Sequence, residues 1–143
     1  MTDSSVAPSN DLLDTSAVAL ARRIRRREVS ATEVLEAHLD RIARWNPAVN
    51  AVVTLDSEGA YHRAQEADEA LRRGEVWGPL HGVPITVKDQ FSTKGLATSY
   101  GLPKPLHVVP HEDAPTVARL RNAGAVLVGK TNLPLMAYDW QSD

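Results

Sequence analysis

The stretch Gly78-Pro79-Leu80-His81-Gly82-Val83-Pro84-Ile85-Thr86-Val87-Lys88-Asp89 sets an apolar run between turn residues and ends it on a charged pair. Val83, Ile85 and Val87 alternate with Pro84, Thr86 and Lys88, the period of a β-strand with one face turned to a core. Lys88 then points away from the aliphatic set, within a segment expected to be largely buried. Burial disfavours the ammonium form and lowers the pKa, which is how a lysine becomes a proton acceptor near neutral pH. A plainer reading stands beside this one: a strand-end lysine that reaches water along its aliphatic stem or pairs with Asp89. Spacing alone favours the plainer reading, because structural ion pairs also perturb pKa values.

Upstream, Leu12, Leu13, Val18, Leu20, Ala21 and Ile24 recur at helical spacing, and this first helix runs out in Arg25-Arg26-Arg27, where basic residues complement a helix C-terminus. Ser30-Ala31-Thr32-Glu33 has the capping-box pattern and opens a second helix with an apolar face of Val34, Leu35, Leu39 and Ile42. His38 falls on that face and reads as packing. Asn46-Pro47 is expected to break this helix, and Asn50 to Leu55 then reads as a short buried strand. A third helix runs from Asp56 or Ser57 to Arg73, with a small face of Ala60, Ala64, Ala67 and Leu71 and a left-handed stop at Gly74.

Beyond the Lys88 strand, Gln90 to Pro110 is rich in Gly, Pro, Ser and Thr and too long for a simple connection; loops of that length line sites or close over them. Asp113 is expected to N-cap a short helix over Ala114 to Ala123, with Gly124 as its stop and Val126-Leu127-Val128 as a buried strand. Pro134 suits the first turn of a further helix, Leu135 to Trp140. Helices and strands alternate, which predicts an α/β layered fold with a sheet flanked by helices and several parallel strands.

At 143 residues the chain is long enough for one domain, and closing on itself it would bury roughly 68–70% of its unfolded surface. Hydrophobic residues make up 43% and charged residues 24%, the balance of a soluble globular chain, and a formal net charge of −2 gives no drive toward nucleic acid. With no cysteine there is no disulfide or thiol chemistry. The first ten residues lack the basic flank and apolar core of a signal peptide, and no run approaches membrane-spanning length, so the cytoplasm is the default location.

Three patterns invite other chemistry. Gly124 to Thr131 satisfies the letter of a phosphate loop, but that motif needs a strand before the first glycine and a helix at the Lys-Ser/Thr pair; here the expected order is reversed. His107 and His111, with Glu112 and Asp113 beside them, lie in a Pro-rich loop with no helical register for a metal, and no metal is expected. The cluster Arg22, Arg23, Arg25, Arg26 and Arg27 has no aromatic interleaving and reads as a solvated helix end. His81, between Leu80 and Gly82, serves a turn as readily as catalysis.

The Gly78–Asp89 stretch closely resembles the lysine segment of the amidase signature family, serine hydrolases of carboxamide bonds with a Ser, cis-Ser, Lys triad. The match continues through Thr98-Ser99-Tyr100-Gly101, the segment from Asp113 to Gly124, and Ala125 to Leu133, with looser similarity back to Val29. The resemblance implies a layered mixed sheet flanked by helices, as an incomplete, N-terminal part of the amidase signature fold spanning residues 1–143, with 1–12 flexible. It places the family's catalytic lysine on Lys88 and gives Asp89 a supporting role at the strand end. The family's Gly-Gly-Ser-Ser-Gly-Gly segment and nucleophile lie beyond the block that ends at Asp143, and Ser92, Ser99 and Ser142 match neither triad serine. Lys88 would accept a proton from the bridging serine, which activates the nucleophile for attack on the amide carbonyl. No cofactor is required, the substrate is a small amide, and a homodimer would be in keeping with the family. This chain alone is expected to hydrolyse nothing. A non-catalytic binding or assembly module, and the amidase component of a tRNA-dependent amidotransferase, stay open as alternatives.

Overall fold

The computed structural model describes residues 11–138. Helix α1, Ala17–Arg25, starts at Ser16, whose side chain accepts from the Ala19 N–H. Helix α2, Ala31–Val49, carries the predicted capping box: Glu33 N–H donates to Ser30 Oγ at 3.0 Å, and Ser30 N–H donates back to the Glu33 carboxylate at 2.8 Å. Asp68 reinforces this helix start from a neighbouring element, accepting from the Ala31 and Thr32 N–H groups at 2.7 and 3.1 Å and from the Thr32 hydroxyl at 2.7 Å.

Pro47 does not break α2; the helix continues through it to Val49 and stops at Asn50, which is left-handed at φ 46°. A proline this near a C-terminus removes one hydrogen bond without interrupting a long ladder. The Asn46 side chain then grips the incoming strand at both ends of one residue, accepting from Val52 N–H at 2.7 Å and donating to Val52 O at 2.8 Å.

Strand β1, Val52–Leu55, leads through the N-cap Asp56 into α3, Ser57–Arg72, whose alanine face of Ala60, Ala64, Ala67 and Ala70 is fully buried. Strand β2, Pro84–Lys88, and strand β3, Val126–Thr131, are joined across helix α4, Pro115–Asn122. The sheet order is β1-β3-β2, with β2 and β3 parallel and β1 antiparallel to β3. The sheet is therefore mixed, and among the described residues the expectation of several parallel strands holds for one pair.

Val126 and Val128 pack with α1, α2 and α3, whereas Leu127 joins Ile85, Val87, Val117 and Leu120 beside α4. The central strand thus feeds two cores, and helices cover both sides of it. Asp113 does not cap α4: Ala114 holds that position without a side-chain bond, while the Asp113 carboxylate accepts from Lys94 N–H at 2.8 Å and pairs with Arg121 at 3.0 Å. The tertiary bridge to Lys94 outcompetes the local cap.

The long connection contains a 3-10 turn at Lys104–Leu106 and a single bridge between Thr98 and Val108. The helix expected from Leu135 is only a 3-10 turn, Leu135–Ala137, because Met136 and Ala137 both take positive φ; Asp139 to Asp143 lie outside the described residues. Of the segment expected to be flexible, residues 1–10 also lie outside the described residues, while Leu12 packs on the core and Asp11 pairs with Arg23 at 2.6 Å.

Candidate active site

Lys88 is the last residue of β2, paired with Thr131 of β3. Alternation separates its neighbours: Val87 and Asp89 are buried, and Thr86 and Lys88 are exposed. The expected desolvation of Lys88 is not found in this chain, since β2 is a sheet edge and the described residues leave its Lys88 face uncovered. What the strand does provide is a rigid base, with Asp89 N–H donating to Thr131 O at 3.0 Å and Phe91 N–H to Lys88 O at 3.0 Å.

The desolvated lysine is instead Lys130. Its side chain is fully buried, 3.1 Å from Asp89 Oδ1, and its ammonium donates to Thr98 Oγ1 at 2.8 Å. Burial pushes its pKa down, against the pull of the Asp89 hydrogen bond and charge. Asp89 is equally buried; its Oδ2 accepts from the Ser99 N–H at 3.1 Å and from the Ser99 hydroxyl, and its main-chain oxygen accepts from Tyr100 N–H at 3.3 Å. Among the described residues Lys130 is the one group facing Oδ1.

This constellation of Asp89, Thr98, Ser99 and Lys130 was not predicted, and the reason lies in the register. Ile85 pairs with Leu127 but Val87 pairs with Lys130, so two residues of β2 match three of β3. Paired residues share a face, and the irregularity turns Lys130 to the side of Leu127 rather than that of Val126 and Val128. Bulges re-aim side chains in this way. Regular alternation would have sent Lys130 elsewhere; the available signal was a charged residue continuing a β-branched run.

The remaining candidates are structural. His81 is fully buried, accepts the Trp77 N–H at Nδ1 (3.1 Å) and faces Ala67 O with Nε2 at 3.0 Å, so it ties the turn before β2 to α3 as a neutral ring. Burial lowers its pKa. His38 Nδ1 lies 2.8 Å from Val34 O, and His107 Nε2 lies 2.8 Å from Leu102 O. No group of three His, Asp or Glu suited to a metal occurs among the described residues. Gly124 follows α4, and Gly129 and Lys130 lie inside β3, so the phosphate-loop geometry is not built. Of the arginine cluster, Arg23 and Arg26 pair with Asp11 and Glu28, and Arg27 donates to Leu71 O. An open cleft of about 640 Å³ is lined by Ser99, Gly101, His107, Asn132 and Leu135, among others; Lys88 is not part of its wall.

A parallel strand pair crossed by a helix, with one lysine at the strand edge and a second locked beneath it, defines an α/β domain built around the end of β2. The amidase family description matches residues 33–143, and the chain belongs to that family, the amidase signature enzymes. It is 47% identical over 124 residues to a glutamyl-tRNA(Gln) amidotransferase subunit of Acidothermus cellulolyticus, covering 87% of this chain and 25% of that protein. It is 40% identical over 131 residues to the indoleacetamide hydrolase of Bradyrhizobium diazoefficiens, covering 92% of this chain and 25% of that one. The native peptide amidase of Stenotrophomonas maltophilia superposes with a TM-score of 0.76 at 40% identity, over 84% of this chain and 25% of that structure. The chain thus spans about a quarter of the length of the relatives it matches.

Proposed function

We propose that this chain supplies the general base of an amide hydrolase, with Lys88 in that role and Asp89 supporting the strand end. The observation that carries the reading is the split at the end of β2, where Lys88 is exposed on one face while its neighbour Asp89 is buried on the other, bonded to Ser99 and ion-paired with Lys130. An exposed ε-amine on a fixed strand suits a proton acceptor whose serine partners come from residues beyond this quarter of the domain. In the completed site Lys88 takes a proton from the bridging serine, which activates the nucleophilic serine toward a small carboxamide. Covering the Lys88 face would supply the desolvation that a neutral lysine needs.

No helix among the described residues is long and apolar enough to cross a membrane. A cytoplasmic enzyme without a required cofactor remains the reading in best accord with the sequence. A second reading, the amidase component of a tRNA-dependent amidotransferase, draws support from the 47% identity to the Acidothermus protein. Homodimerisation is an expectation that light scattering would test.

The test uses a completed domain, made by joining this chain to the remaining three quarters of the Bradyrhizobium indoleacetamide hydrolase, with ammonia release from simple amides as the readout. Lys88→Ala should lower kcat/KM by about 10²–10⁴-fold while the protein stays folded. Full retention of activity would remove Lys88 from the mechanism. Ammonia release that requires glutamyl-tRNA(Gln) would favour the second reading.

A further inference from the structure

Lys130 and Asp89 are a buried pair that the proposed proton transfer does not use. A buried ammonium is costly, and apolar side chains of similar volume often serve stability as well or better. The arrangement around the pair shows what it does instead. Asp89 is held on several sides: its N–H donates to Thr131 of β3, its carbonyl accepts from Tyr100, Oδ2 accepts from Ser99, and Oδ1 makes an ion pair with the Lys130 ammonium at 3.1 Å. Lys130 in turn holds Thr98, the residue before Ser99, at 2.8 Å. The cation and the carboxylate therefore pin Thr98 and Ser99 of a returning loop to the residue next to Lys88, and the Asp89 main-chain oxygen adds Tyr100.

The pinned loop is shaped for this contact. Tyr100 takes φ 54°, a conformation that non-glycine residues hold only when their surroundings over-determine it. Gly101 N–H donates to Ser99 Oγ at 3.0 Å, and Met136 N–H donates to Tyr100 O at 2.8 Å, so the turn also ties in the chain that follows β3. The ends of β2 and β3 and the 98–101 turn are locked together on the side of the sheet opposite Lys88.

We propose that Lys130 is a positioning residue: as the buried counter-cation of Asp89 it clamps the Thr98–Gly101 turn to the end of β2 and fixes where Lys88 presents its amine. The inference rests on Lys88 being the base. A device that only held the fold together would be replaceable by a neutral pair, whereas a positioning device would not, since loss of about 1 Å in placement lowers turnover by roughly 10²-fold.

The experiment compares Lys130→Met, Asp89→Asn and the double variant in the completed domain, reading kcat, KM, thermal midpoint and amide hydrogen exchange at Ser99 and Tyr100. Lys130→Met should lower kcat by about 10²-fold with KM within about threefold, and exchange at both amides should accelerate. The double variant, with no unpaired buried charge, should regain the thermal midpoint but not kcat. The proposal is overturned if kcat returns together with the midpoint, if folded Lys130→Met keeps its kcat, or if neither variant folds. Lys88→Ala run alongside separates the two ideas: retained activity there defeats the base assignment, whereas loss there with unaffected Lys130→Met defeats the clamp alone.

Discussion

Gly129 lies in the middle of β3, between β1 and β2, and its hydrogen stands where any other residue would place a carbon. A Cβ built there falls 2.2 Å from Thr54 O and 3.2 Å from Leu55 Cα, both backbone atoms of β1. Carbon normally keeps about 3.3 Å from a carbonyl oxygen, so Gly129→Ala must drive β1 outward by about 1 Å. That strand has little freedom to move, being held by Asn46 at Val52, by Asp56 N–H donating to Val128 O at 2.8 Å and by Asn132 N–H donating to Ala51 O at 2.9 Å. Overpacking of this kind costs about 1–3 kcal/mol, and a strained or lost ladder bond adds about 0.5–1.5 kcal/mol. Removing a glycine from a strand returns about 0.5–1 kcal/mol. The net expectation is a destabilisation of about 2 kcal/mol, which lowers the thermal midpoint by roughly 4–8 °C for a domain of this size. Equilibrium urea unfolding followed by tryptophan fluorescence gives the number directly, with an unchanged m-value showing that the compactness of the two states is preserved. A midpoint within about 0.5 kcal/mol of the parent, or a stabilisation, would refute the steric argument and mean that β1 yields freely.

Further outcomes follow from other contacts. Asp68→Ala removes three hydrogen bonds at the start of α2 and should destabilise by about 1–3 kcal/mol, read from the same urea curves; no change would mean that the capping box alone secures that end. Burial, against the Ala67 carbonyl hydrogen bond and the Asp68 charge and with help from Arg63 and Arg25, holds the folded pKa of His81 below its unfolded value. Its contribution is therefore intact above about pH 6.5 and lost as pH falls below that point. His81→Gln, which keeps a donor and an acceptor, should flatten this acid slope in a pH series of thermal midpoints, and an unchanged slope would assign it to other groups. Lys88→Ala should leave the thermal midpoint within about 1 °C, as expected for an exposed side chain; a large drop would show a structural role instead. The 143-residue chain alone should release no ammonia from simple amides, and turnover lost in Lys88→Ala would overturn that expectation.

Local physics determined a good deal by itself. The capping box at Ser30 and Glu33, the alanine face of α3, the glycine stop after α4 and the strands around Val52, Ile85 and Leu127 all depend on neighbours a few residues apart. Periodicity and capping chemistry report such elements because the interactions that form them are short in range. The choice of Lys88 came from motif order, and its place at the end of a strand from alternation. The tertiary structure decided what these rules do not reach. Pro47 sits inside a helix because Asn46 and Asn50 reorganise the exit around β1. Asp113 abandons its cap because Lys94, distant in sequence, offers a donor. Above all, the mismatch of two residues against three between β2 and β3 turned Lys130 into the interior beside Asp89 and left Lys88 on the open face. Register between strands separated by a helix is set by how whole surfaces pack, so the identity of the buried lysine became legible only once the chain was folded.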